Sequence, residues 1–298
     1  MSRIISDKKS YSKEGDYTMK SIKEQLVIVY CLADDCLKGQ ENEGNWRKSN
    51  NRPKCTDAEI IALAMMQSYF GTATLKRTYL LIKANDPKAF PTLPSYQQWL
   101  ARLHHLSRQI DALLESIPLN IKDLDEIFLI DSFPVKMCEP IRHARVNLLR
   151  DVGAYFGKST KGWFFGFKLH VLTTRTGQIL GVVFLPTSYD DRQGARSLAK
   201  MLEEGSLCIA DLGYRGVGFQ TQMYEEEGVL FLTRADIESK SLKITHSLIR
   251  ERVEGVFSSL WARFANRVYS RSWNGLWNTL KLKMLDYKLC FANIISYV

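Results

Sequence analysis

Two apolar runs, each closing on an aspartate, constrain this chain more than any other feature. The first is Glu126-Ile127-Phe128-Leu129-Ile130-Asp131-Ser132, and the second is Ser206-Leu207-Cys208-Ile209-Ala210-Asp211-Leu212-Gly213-Tyr214. Short, continuously apolar runs of this kind read as buried strands. Two such strands ending alike would bring both carboxylates out at the same edge of one sheet, where open α/β sheets place their chemistry. For a single Asp the commoner role is a turn or a helix cap. The repetition shifts the balance toward a site.

The chain before Asp131 has helical periodicity. Residues 1–20 form a polar, flexible lead. Ile22, Leu26, Val29, Tyr30 and Ala33 recur at helical spacing up to Gly39, and a polar loop follows to Pro53. Thr56 and Glu59 have the spacing of a capping box ahead of Ile60, Leu63, Ala64 and Met66. Ser95 and Gln98 repeat that spacing and open one helix whose apolar stripe runs through Trp99, Leu103, Leu106, Ile110, Leu113 and Ile117. With Gln97, Arg102, His104, His105 and Arg108 on that helix, residues 21–120 are compatible with a DNA-reading helix-turn-helix and also with a helical bundle showing a solvated face.

After Asp131 a basic, irregular stretch leads to Phe165, Phe167, Leu169 and Val171, which alternate with Lys168 and His170 as in a strand. His170 reads as a packing or hydrogen-bonding residue. Gly177 marks a hairpin into the apolar run Ile179 to Leu185, a helix follows over 194–203, and Val229 to Thr233 gives a fifth strand after the Asp211 strand. The fold expected is α/β, a mixed five-stranded sheet flanked by helices over 124–298 and preceded by the all-α region.

Composition narrows the function classes. The 298 residues are 45% hydrophobic, enough for a full core, and carry a formal net charge of +9, which suits a phosphate-bearing partner. Six cysteines without a CxxC pair read as reduced thiols. No apolar run approaches membrane-spanning length, so the expected location is cytoplasmic. Gly213, Gly216 and Gly218 spell GxxGxG, which is not a dinucleotide fingerprint.

A third acid, Glu254, follows on the helical stretch Ile249 to Phe257. Three carboxylates at one site repel by roughly 4 kcal/mol per pair at 4 Å and an effective dielectric of 20, so they call for a cation. Oxygen-only ligands suit Mg²⁺ or Mn²⁺, and two such ions would support in-line phosphodiester displacement. Asp131, Asp211 and Glu254 are therefore the expected catalytic and metal-holding residues.

Leu129-Ile130-Asp131-Ser132, Gly166-Phe167-Lys168-Leu169-His170, Ala210-Asp211-Leu212-Gly213-Tyr214-Arg215-Gly216 and Arg250-Glu251-Arg252-Val253-Glu254 resemble the successive motif blocks of bacterial insertion-sequence DDE transposases. The acids are 80 and 43 residues apart, in the order of that family. The resemblance implies an RNase H-like catalytic domain, two Mg²⁺ ions, binding to terminal inverted repeats and target DNA as a homo-oligomer, and a bacterial, nucleoid-associated setting. It also implies that Arg250 is the family's basic residue on the helix of the last acid, and it places Asp190 or Asp191 as an accessory acid, for which a helix cap is the competing role. Ser247 and Trp261 stand where relatives carry Tyr and Lys or Arg, which would leave the cut DNA end to Arg252 or Arg263. A catalytically silent or domesticated DNA-binding protein of the same fold, or a structure-selective nuclease, are the alternatives.

Lys168, Arg250, Arg252, Arg263, Lys281 and Lys283 are the expected DNA contacts. In the tail the basic residues are interleaved with Trp261, Tyr269, Trp273, Trp277 and Tyr287, while Leu276, Leu280, Met284 and Leu285 keep helical spacing. Such a helix is expected to pack its apolar face on the sheet and turn its basic face to DNA.

Overall fold

The computed structural model describes residues 22–43, 53–85, 88–118, 126–139, 141–142, 148–159, 162–263 and 268–295. The lead over 1–20 and the cations Arg145, Lys161 and Arg267 lie outside the described residues.

Among the described residues five helices come first: α1 (Ile22–Glu43), α2 (Asp57–Tyr69), α3 (Leu75–Asn85), α4 (Tyr96–His105) and α5 (Ser107–Ser116). Both capping boxes form. At α2 the Thr56 amide donates to Glu59 Oε2 at 2.6 Å and the Glu59 amide to Thr56 Oγ1 at 3.2 Å. Ser95 and Gln98 do the same at α4. Trp99 is fully buried, and its indole Nε1 donates to the Ile60 carbonyl at 3.3 Å, which ties α4 to α2.

The single helix expected from Ser95 onward is divided. At Leu106 the backbone reaches φ −88° and ψ 19°, and its amide bonds to Leu103, three residues back, which tightens the chain between α4 and α5. The stripe survives the break, because Trp99, Leu103, Leu106, Ile110, Leu113 and Ile117 are all buried.

Among the described residues the sheet has six strands where five were expected: β1 (Ile127–Cys138), β2 (Tyr155–Ser159), β3 (Gly162–Thr174), β4 (Ile179–Pro186), β5 (Leu207–Ala210) and β6 (Leu230–Thr233). Their order is β2-β3-β1-β5-β6, with β4 also paired to β3. β1 runs antiparallel to β3, and β1, β5 and β6 are mutually parallel neighbours. The added strand, β2, comes from the stretch expected to be irregular. β1 also does not stop at Asp131. It continues to Cys138 along β3, but its parallel pairing with β5 ends at Ile130 and Ala210. Pro134 is tolerated there because, among the described residues, no strand pairs with the far edge of β1 at that level.

The second half adds α6 (Asp191–Ala199), α7 (Val217–Glu227), α8 (Lys240–Ala262) and α9 (Trp273–Phe291). Strand alternation sorts them onto the two faces. Phe128, Ile130, Leu172, Cys208 and Ala210 pack with Ala195 and Leu198 of α6 and Phe219 and Met223 of α7. Leu129 and Ile209 meet Val253 of α8, while Phe133, Val135, Leu169 and Val171 meet Val256 and Leu260 of α8 and Leu276 and Leu280 of α9. Helix α9 also sends Leu282, Leu285 and Leu289 into the core of the N-terminal helices. The tail therefore belongs to both cores rather than to the sheet alone.

Candidate functional site

Because β1 and β5 are parallel neighbours, Asp131 and Asp211 each follow the last residue of their shared ladder and leave it at the same edge. Alternation along β1 turns Asp131 toward the α8 face. There Arg250 of α8 joins the two acids, with Nη2 3.0 Å from Asp131 Oδ2 and Nη1 3.2 Å from Asp211 Oδ1. The Ser132 amide donates to Asp131 Oδ1 at 2.7 Å. Asp131 is 16% exposed and Asp211 50%, so the two acids differ in setting. Burial pushes the Asp131 carboxyl up to about 6, against the pull of the Ser132 amide and of Arg250, and the nearby Asp211 adds to the rise.

Glu254 lies on α8 one turn beyond Arg250. It is exposed and lines an open hollow of about 510 Å³ with Ser132, Phe133, Phe257 and Trp261. Among the described residues no three Asp, Glu, His or Cys side chains come close enough to hold one ion. In this structure Arg250 bonds both aspartates, and Glu254 lies to one side of the pair.

The opposite face carries a polar relay that sequence reasoning passed over. Ser132, the residue after the first acid, is hydrogen-bonded to the Tyr214 hydroxyl, which belongs to the short turn Leu212–Tyr214 after the second acid. That hydroxyl is also 2.8 Å from His170 Nδ1. Burial raises Tyr214 well above the ordinary tyrosine range, with Asp131 and Asp191 adding to the rise. His170 is pushed down to about 4, mainly by burial and against the opposing charge of Asp191, so it is neutral at pH 7. Lys168 completes the group by donating to Asp191 Oδ1 at 2.7 Å. The signal was present in the sequence, since Ser132 and Tyr214 sit directly behind the two aspartate motifs.

Asp190 and Asp191 have different partners. Asp190 is the N-cap of α6, accepting from the Arg192 amide at 3.0 Å and pairing with the Arg192 guanidinium, which holds its carboxyl down to about 2. Asp191 pairs with Lys168 and packs against Gly213 on the α6 side of the sheet. Of the two candidate accessory acids, Asp190 thus caps α6 and Asp191 is ion-paired with Lys168.

Most of the cations expected to touch DNA are engaged within the fold. Lys281 is 5% exposed and bonds Asp111 Oδ2 at 2.6 Å and Ser107 Oγ at 2.9 Å. Lys283 is 3% exposed and donates to the Arg263 carbonyl, while Arg263 pairs with the buried Asp286. Lys168 and Arg250 hold the carboxylates described above. Each of these five is largely buried and bonded to a protein oxygen in this structure. Arg252 remains exposed, beside Arg175 in an open hollow near Leu248 and Ile249. Ser247 serves the helix, its hydroxyl donating to Lys243 O, while the Trp261 ring meets Phe133 of β1 edge-on.

Residues 122–263 match the family model described as a transposase DDE domain. The match supports a DDE transposase. It spans all six strands together with α6, α7 and α8, and it includes Asp131, Asp211, Arg250 and Glu254. Similarity to this domain implies DNA as partner, transposition with DNA cleavage, and use of divalent metal ions. No curated protein and no solved structure matches the chain. No helix among the described residues is long and apolar enough to cross a membrane.

Proposed function

We propose that this protein is an insertion-sequence transposase that binds the terminal inverted repeats of its element, cuts DNA at the element ends and joins the freed 3′-hydroxyls to target DNA. The observation that supports this most is the meeting of Asp131 and Asp211, 80 residues apart in sequence, around Arg250 at one sheet edge inside the matched segment. In this reading the sheet is the RNase H-like core of a bacterial DDE enzyme, and the N-terminal helices contribute to recognition of the ends by a homo-oligomer.

The residues present fit a divalent cation. Two carboxylates against one guanidinium leave a net negative charge when ionised, and burial, which raises the Asp131 carboxyl, penalises that charge. The donor set is oxygen only, which suits Mg²⁺ or Mn²⁺. Asp131, Asp211 and Glu254 would hold the ions, two in number, and when bound these would polarise the scissile phosphate and activate the attacking hydroxyl or water. Arg250 supplies positive charge to the acids, and its position between them makes it the side chain that must yield. The Ser132, Tyr214 and His170 relay holds the backbone behind both acids in register.

The test is cleavage of the DNA that flanks this gene, with and without Mg²⁺, for the wild-type protein and for Asp131→Asn, Asp211→Asn and Glu254→Gln. Each variant should lose cleavage by on the order of a hundredfold or more while retaining fold and end binding. Full activity in any one of the three removes that residue from the site. Binding without cleavage in the wild type would favour the silent, domesticated reading.

A further inference from the structure

A groove of about 640 Å³ lies where the N-terminal helices meet the start of α9, away from the acids. Its described lining contains two exposed cations, Lys76 and Arg271, and no carboxylate. Lys76 and Arg271 are exposed, one from each side of the junction. The first turns of α3 and α9 both border the groove, and their amide ends add partial positive charge to that of the side chains. Two tyrosines line it as well: Tyr269, 59% exposed, and the half-buried Tyr96. Gly275 keeps the backbone close, since a Cβ there would fall 2.5 Å from Ser270 Oγ and 3.0 Å from His104 Nε2.

Cations set beside an accessible aromatic ring are what an unpaired nucleotide needs, a counter-charge for its phosphate and a flat apolar face for its base. We propose that this groove binds a single-stranded segment of DNA, with Lys76 and Arg271 on the phosphates and Tyr269 against a base. The proposal rests on the DNA-processing reading above and adds a second contact surface outside the matched DDE segment. Duplex fits less well, because a paired base offers no free face to Tyr269.

The experiment uses the full chain. Binding of a labelled single-stranded oligonucleotide of arbitrary sequence, and of its duplex, is followed by anisotropy over a range of salt for the wild type, for Lys76→Gln with Arg271→Gln, and for Tyr269→Ala. All three positions are exposed, so thermal melting should match the wild type and serves as the folding control. The double variant should bind single strands at least about tenfold more weakly, with a salt slope smaller by roughly 0.7 per lost phosphate contact. Tyr269→Ala should lose about fivefold or more on single strands and less on duplex. A 5-iodouracil oligonucleotide should photocrosslink to Tyr269 or Tyr96 in the wild type. Unchanged single-strand affinity and slope in both variants, with crosslinks elsewhere, would overturn the groove while leaving DNA binding intact. No DNA binding by the wild type would overturn both.

Discussion

Helices α8 and α9 carry similar mixtures of basic and apolar residues, yet the fold treats them oppositely. Helix α8 has 23 residues, of which only His246, Val253, Val256 and Leu260 are buried. Helix α9 has 19 residues, and 13 of them are buried, including Lys281, Lys283 and Asp286. The difference is position. α8 lies on one face of the sheet and leaves Leu242, Ile244 and Leu248 exposed, whereas α9 is wedged between the sheet and the N-terminal helices and has few directions left open. A lysine on a helix reports the local need for charge, and that need can be internal.

The sharpest way to break this contrast is Asp286→Ala. Asp286 is 1% exposed and holds the 12%-exposed Arg263, so removing it strands a buried guanidinium and should cost about 3–5 kcal/mol in urea unfolding. A loss below 1 kcal/mol would mean that α9 is not seated as described. Next comes Leu285→Ala in the core shared with the N-terminal helices, where a fully buried leucine should cost about 2–5 kcal/mol. Its counterpart on α8, the exposed Leu248→Ala, should stay within about 0.5 kcal/mol. Equal effects would erase the distinction.

Acidity gives a smaller, signed effect. Burial pushes Lys283 down to about 7 from the ordinary value of 10.5. Between those values the unfolded chain keeps a proton that the folded chain has released, so stability should rise with pH across that window, by up to about 1.4 kcal/mol per pH unit. Lys283→Met should flatten that part of the stability curve, and an unchanged slope would place the lysine in water. The smallest effect concerns salt. Arg252→Gln on α8 should reduce the salt slope of duplex binding by at most about 0.9 with no change in melting temperature, and Lys281→Gln should do the reverse.

What was legible in the sequence was local. The caps at Thr56 and Ser95, the turn at Gly177 and the two strands ahead of the aspartates depend on neighbours a few residues away, and each appears where its pattern places it. Less legible was anything decided by a distant partner. β2 has almost no alternation of its own and forms because β3 offers it an edge. Pro134 lies inside β1, but proline is harmful only where its missing N–H would have had a partner, and no described strand pairs with the far edge of β1 at that level. At the candidate site the motifs singled out Asp131, Asp211 and Arg250, but spacing alone could not show that the arginine lies between the two acids or that Glu254 stays one turn away. The Lys281 to Asp111 bond joins residues 170 apart, a pairing that no short pattern encodes.

The seating of α9 also orders events in time. Its bonds to Leu103, Asp111 and Leu114 reach back across more than half the chain, and every strand of the sheet is synthesised before it. A growing chain therefore carries two unfinished apolar surfaces until α9 emerges, one on the early helices and one on the sheet, and closing such long loops is a slow step. During that interval the nascent protein is most exposed to aggregation and to chaperone capture, and a chain halted before residue 273 would leave both surfaces open.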